Sequence, residues 1–101
     1  MAQLAFACGS FSGTGNGNGC TPTTGNFNVA ISGTFVGTVQ LQKNFDNGTW
    51  GWTPVSQNAT GAAASYTAPV AMQMTEFEQG VSYRWVCTAY TSGTINYRIS
   101  Q

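Results

Sequence analysis

Apolar and polar residues alternate along most of this chain with the two-residue period of half-buried strands. Leu4, Phe6 and Cys8 fall on one face of a first strand, and Phe27, Val29 and Ile31 on one face of a second. Phe35, Val39 and Leu41 mark a third, with Gly37 on the same face leaving room for a bulky neighbour or a bulge. Trp50 and Trp52 share a face of a fourth strand, and Val70, Met72 and Met74 a face of a fifth. Tyr83, Trp85, Cys87 and Ala89 mark a sixth, with Val86 on its other face, and Ile95, Tyr97 and Ile99 a seventh. No segment carries a helical period; the one Ala-rich run, Gly61 to Ser65, is too short for a helix.

Turn-forming residues separate these segments. Ser32-Gly33 reads as a tight turn, Asp46-Asn47-Gly48 as hairpin turn chemistry, and Glu76 to Gly80 as a connection. Ser92-Gly93 reads as a two-residue hairpin turn. Residues 56–68 read as a polar loop or short edge strand with Tyr66 as an anchor. The stretch from Ser10 to Gly25, SFSGTGNGNGCTPTTG, is the lowest in complexity and reads as a flexible Gly-rich loop. About seven short strands joined by turns predict one all-β domain over residues 1–101, an antiparallel β-sandwich of Ig-like or jelly-roll-like kind. No internal repeat is evident. With Ser92-Gly93 as a hairpin turn, Cys87 faces Arg98 and Arg84 faces Gln101. Both arginines then lie near one end of one sheet, within reach of Glu76 or Glu78.

Charge changes this picture. Only Lys43, Arg84, Arg98, Asp46, Glu76 and Glu78 are charged, 6% of the chain against about 25% for an ordinary soluble domain. Polarity comes instead from 14 Thr, 8 Ser, 8 Asn and 7 Gln, and the formal net charge is zero. There is no basic footprint for a phosphate backbone, so no nucleic-acid partner is expected. No apolar run reaches the roughly 18 residues of a membrane span, so no membrane is expected either. The opening Met1 to Ala7 has neither a basic region nor a long apolar core and is not expected to act as a signal peptide. With so little self-repulsion, the surface suits dense packing among neighbours or contact with neutral glycans.

The same inventory narrows the chemistry. There is no histidine, so neither a Ser/His/Asp nor a Cys/His arrangement can be assembled. Of the three acids, Glu76 and Glu78 sit in one loop, which is a poor basis for two carboxylates facing each other across a cleft. We expect no enzyme and no cofactor. Cys8, Cys20 and Cys87 match no zinc spacing. Asp46 with Asn44 and Asn47 offers fewer carboxylates than a calcium loop uses. Cys8 and Cys20 could close the loop between them, but three reduced thiols are the favoured reading, with Cys87 in the core. The glycine run from Gly13 to Gly19 is followed by a strand, not by the helix that a phosphate-binding loop requires. Asn47-Gly48-Thr49 and Asn58-Ala59-Thr60 match the glycosylation acceptor pattern, read as coincidence in an Asn- and Thr-rich chain.

Lys43 to Trp52, KNFDNGTWGW, holds the sharpest candidate site. Its turn faintly resembles the Asp-box of sialidase-like repeats, without the leading Ser and one residue short between Gly48 and Trp50. An Asp-box is a structural turn with no catalytic role. Trp50 and Trp52 are open to three roles: core filler, subunit contact or a stacking platform for a sugar ring. Core and contact are favoured. Arg84 and Arg98 are candidate partner contacts, because a chain with three cations can use them for orientation.

Two longer segments carry a resemblance. Gly33 to Gln42, GTFVGTVQLQ, leads into FDNGTW, and Gly80 to Gln101 ends in YRWVCTAYTSGTINYRISQ. Together they resemble small β-sandwich virion proteins encoded in the structural gene clusters of tailed bacteriophages, over roughly residues 30–101. The resemblance implies a capsid-decorating or otherwise virion-attached module, made in the bacterial cytoplasm. It implies the major capsid protein or other virion proteins as partners, homo-oligomers, and no catalytic residues to carry over. The other expectations are a carbohydrate-binding module, free or displayed on the particle toward a surface glycan, and a head–tail or tail component.

Overall fold

The computed structural model describes residues 6–22, 25–45, 49–55 and 64–101. Nine strands follow in chain order: β1 (Phe6–Phe11), β2 (Gly15–Cys20), β3 (Gly25–Ser32), β4 (Phe35–Asn44), β5 (Thr53–Pro54), β6 (Ser65–Tyr66), β7 (Val70–Glu76), β8 (Ser82–Gly93) and β9 (Ile95–Ser100). One sheet has the order β1-β9-β3-β7, the other β2-β8-β4-β5 with β6 also paired to β4, and every pairing is antiparallel. The result is the β-sandwich that the alternation predicts.

The inward residues of both sheets meet in one core. Phe27, Val29, Ile31, Ile95 and Ile99 come from the first sheet, and Val39, Leu41, Tyr83, Trp85 and Cys87 from the second. Phe27 packs its ring against Tyr83 with centroids 4.7 Å apart. Trp85 is fully buried, and its indole N–H donates to the carbonyl of Arg98 at 3.3 Å, satisfying the one polar atom of that ring. Gly37 sits between two bulges of β4, as its place on the buried face suggested.

Four expectations change. The Ser10–Gly25 stretch, expected as a loop, carries the end of β1 and all of β2, which pairs with β8. Two of its glycines serve packing, Gly17 and Gly19: a Cβ on Gly17 would stand 2.8 Å from the Trp85 carbonyl and 3.0 Å from the Tyr97 ring, and one on Gly19 3.1 Å from the Tyr83 carbonyl. Next, β1 presents the opposite face from that expected. Ala7 and Phe11 are buried while Phe6 and Cys8 are exposed; Leu4 lies outside the described residues. The inward face of β1 is small because Tyr97 fills the space beneath Gly9 and stacks on Phe11 at 4.8 Å.

Trp50 and Trp52 are not on a strand. Gly51 between them adopts φ +98°, which breaks the extended path and leaves only Thr53–Pro54 as β5. Finally, Ser92-Gly93 does not turn a hairpin. β8 and β9 belong to different sheets, so neither Cys87 and Arg98 nor Arg84 and Gln101 are partners. Here β8 crosses to the other sheet beside β3–β4, which crosses at Ser32-Gly33. The partners Phe35↔Gly93 on one side and Ser32↔Asn96 on the other keep one register through the corner.

Candidate contact surfaces

Two outer faces and one end of the sandwich carry the candidate residues. On the outer face of the second sheet, Gln40 and Gln42 of β4 alternate with the buried Val39 and Leu41, and Arg84 of β8 lies opposite Gln42. The Arg84 Nε–H and Nη2–H both donate to Gln42 Oε1, at 3.1 and 2.9 Å, and Gln42 Nε2 donates to Gln40 Oε1 at 3.0 Å. The guanidinium lies 4.3 Å from the Trp52 ring centroid, close enough for a cation–π contact. Gly19, the partner of Arg84 on β2, has no side chain to lift the indole away; a Cβ there would sit 3.4 Å from Trp52. Partial burial lowers the Arg84 pKa by disfavouring its charge, which still persists at any ordinary pH.

Trp50 stands apart. It is 66% exposed, so the expectation of a core role fails for it, and the half-buried Trp52 lies against the outer face of the second sheet, over Arg84. The loop that presents Trp50 is held from below by Asn44, which is 4% exposed and accepts the Gly51 N–H on Oδ1 at 2.9 Å. Trp50 N–H donates to the Phe45 carbonyl at 3.3 Å, and the two rings meet edge to face at 6.4 Å. Lys43 lies over the Phe45 ring at 5.1 Å. Asn44 is not legible as a positioning residue in the sequence, where it reads as part of the turn and as a calcium-ligand candidate set aside with Asp46 and Asn47. The Asp46-Asn47-Gly48 turn lies outside the described residues.

Arg98 is on the outer face of the other sheet, so the two arginines do not share one end of a sheet as expected. Its guanidinium lies 5.8 Å from the Phe6 ring centroid, beside Cys8, the partner of Arg98 on β1. An open groove of about 620 Å³ runs here, lined by Phe6, Cys8, Ala30, Ser32, Asn96 and Arg98 among others. Neither arginine pairs with Glu76. That carboxylate accepts the Tyr83 hydroxyl at 2.8 Å and lies 4.0 Å from Lys43 Nζ. Burial, and then the bond to Glu76, push the Tyr83 phenol well above its ordinary pKa. The three thiols are free: Cys8 exposed, Cys20 half-buried and Cys87 buried.

No protein-family model and no curated protein matches the sequence at a significant level. Among solved structures, the chain is similar to the SPBc2 prophage-derived protein YomS. The TM-score is 0.62 and the identity 13%, over 94% of this chain and 93% of that one. The two proteins share a fold.

Proposed function

We propose that this chain is a non-enzymatic structural protein of a bacteriophage particle, decorating or stabilising the capsid surface. The observation that carries this reading is the end-to-end match of its fold to a prophage-derived protein, with almost nothing left over in either chain. The near-absence of charge supports it, since copies and neighbours can pack closely with little repulsion. In this reading the chain is made in the bacterial cytoplasm and resides in the virion. Its partners are the major capsid protein or other virion proteins, and further copies of itself. Purified particles of the phage that encodes it should contain the chain in symmetric stoichiometry, located by cryo-electron microscopy on the head. Particles without it sink the reading, and density at the neck or tail reassigns it to a head–tail or tail component.

Trp50 supports a second reading, a glycan contact displayed from the same particle. An indole 66% exposed beside Phe45 offers an apolar face of the kind that stacks on a sugar ring. Titration with host-surface glycans should then quench tryptophan emission, and Trp50→Ala should abolish the quenching. No response to any such glycan removes this reading and leaves the first intact.

A further inference from the structure

The charged residues are few enough to follow individually. Lys43 lies 4.0 Å from Glu76, and Arg84 is held by Gln42. Asp46 is outside the described residues. Arg98 and Glu78 remain. Among the described residues, the Arg98 guanidinium makes no hydrogen bond or ion pair, and neither does the Glu78 carboxylate. Both side chains are exposed.

Each of these two charges sits beside an exposed phenylalanine. Arg98 neighbours Phe6, 48% exposed, in the groove on the outer face of the β1-β9-β3-β7 sheet. Glu78 follows Phe77, which at 79% is the most exposed large apolar side chain described. The β7–β8 loop that carries Phe77 and Glu78 is held in shape by the Glu78 N–H, which donates to Glu76 Oε2 at 3.2 Å. One surface is therefore an aromatic with a free cation in a groove, and the other an aromatic with a free anion on a projecting loop. They cannot meet within one chain. Phe6 is on edge strand β1 and the loop extends opposite edge strand β7, three strands across the sheet, roughly 15 Å at about 4.8 Å per strand.

We propose that copies of this chain associate head to tail, the Phe77-Glu78 loop of one copy seating in the Phe6–Arg98 groove of the next. Glu78 accepts hydrogen bonds from the Arg98 guanidinium, whose fork matches a carboxylate. Phe77 covers Phe6 and the small side chains of Ala30 and Ser32. The contact uses two different patches, so it repeats: it closes into a ring if the rotation permits and extends as a filament if it does not. Among the described residues, none that lines the groove is acidic, so nothing there opposes Glu78.

The contact is a property of the isolated chain, so its failure and that of the particle reading are separable. The full chain is followed by sedimentation velocity from micromolar to millimolar concentration. Oligomers larger than dimers should grow with concentration. Arg98→Glu and Glu78→Arg alone should each weaken association by about tenfold or more, as expected when a charge pair becomes a like-charge contact. The double variant Arg98→Glu/Glu78→Arg should restore it to within about threefold, because the pair is rebuilt with its signs exchanged. Near-ultraviolet circular dichroism of the buried Trp85 monitors folding of every variant. A chain monomeric throughout overturns the proposal. So does association that ignores both reversals, whether through the β7 edge or elsewhere, and so does a double variant no better than the single ones.

Discussion

The backbone N–H of Thr94 donates to the carbonyl of Thr34 at 3.1 Å, at the point where β3–β4 and β8–β9 pass together from one sheet to the other. Each threonine follows a Ser-Gly pair, and each glycine has positive φ, +107° at Gly33 and +93° at Gly93. The two corners are built alike and lie against one another: a Cβ on Gly33 would collide with the Thr94 carbonyl, and one on Gly93 with the Thr34 carbonyl.

Gly93→Ala should therefore destabilise the fold by at least about 2 kcal/mol, from the left-handed backbone and the collision together. Gly13→Ala is the control, since a Cβ there meets nothing within 4 Å and Gly13 has no positive φ; its cost should stay below about 0.5 kcal/mol. Urea unfolding midpoints decide the matter. Equal midpoints for the two variants would mean that the corner at Gly93 is not strained.

The corner also shows where sequence reading stops. Ser-Gly between two alternating runs is the chemistry of a hairpin and equally of a sheet-to-sheet crossing, because both need one residue with φ > 0. The signal that separates them is repetition: Ser-Gly-Thr occurs at 12–14, 32–34 and 92–94, and each time the strands on either side lie in different sheets. Phe27, Val29 and Ile31 were legible because they are apolar and alternate against polar neighbours, and all three are buried. β2 was not legible, because what qualifies Gly17 for the strand is a missing side chain beneath Tyr97 and beside the Trp85 carbonyl. The Trp50–Trp52 pair misled in the same way: alternation presumes an extended residue between, and Gly51 is not extended.

Tyr97 ties the glycine-rich strand to the core. Its hydroxyl oxygen accepts the Asn18 backbone N–H at 2.8 Å. Tyr97→Phe should cost about 1–2 kcal/mol by stranding that donor, and Gly17→Ala about 2 kcal/mol or more because its Cβ would crowd both the Trp85 carbonyl and the Tyr97 ring. Amide exchange should locate both effects: Tyr97→Phe speeds exchange of the Asn18 amide selectively. An Asn18 amide that already exchanges freely in the parent protein would contradict the strand.

The Trp52–Arg84 contact should be energetically real and Trp50 nearly silent. A double-mutant cycle on Trp52→Ala and Arg84→Ala should give a coupling of about 0.5–1.5 kcal/mol, while Trp50→Ala shifts stability by less than about 0.5 kcal/mol. Acrylamide should quench Trp50 emission first and Trp85 last. Coupling indistinguishable from zero would show that Arg84 is positioned by Gln42 alone.

Tyr83 should make the fold alkali-sensitive. Burial disfavours its phenolate, and its hydroxyl donates to Glu76, so its folded pKa lies above the unfolded value of about 10. Its contribution is whole below that value. Above it, the unfolded chain loses a proton that the native chain keeps, and stability falls by up to about 1.4 kcal/mol per pH unit as the pH climbs toward the folded pKa. Tyr83→Phe should flatten this slope while lowering stability at neutral pH. Unfolding free energies measured across the alkaline range test it, and an unchanged slope in Tyr83→Phe would assign the sensitivity elsewhere.

Thiol reactivity should rank the three cysteines by depth. Cys8 is exposed on the outer face of β1 and should react at once with an aromatic disulfide reagent. Cys20 is half-buried, and burial raises its pKa, so less thiolate is present at neutral pH and its reaction should be slower and move to higher pH. Cys87 is 2% exposed, and its Sγ–H lies 3.3 Å from the Ala89 carbonyl; burial raises its pKa as well. Cys87 should react only as fast as the protein unfolds, so adding urea below the transition should accelerate Cys87 and leave Cys8 unchanged. A Cys87 as fast as Cys8 in native buffer would mean that β8 does not face the core through Tyr83, Trp85 and Cys87.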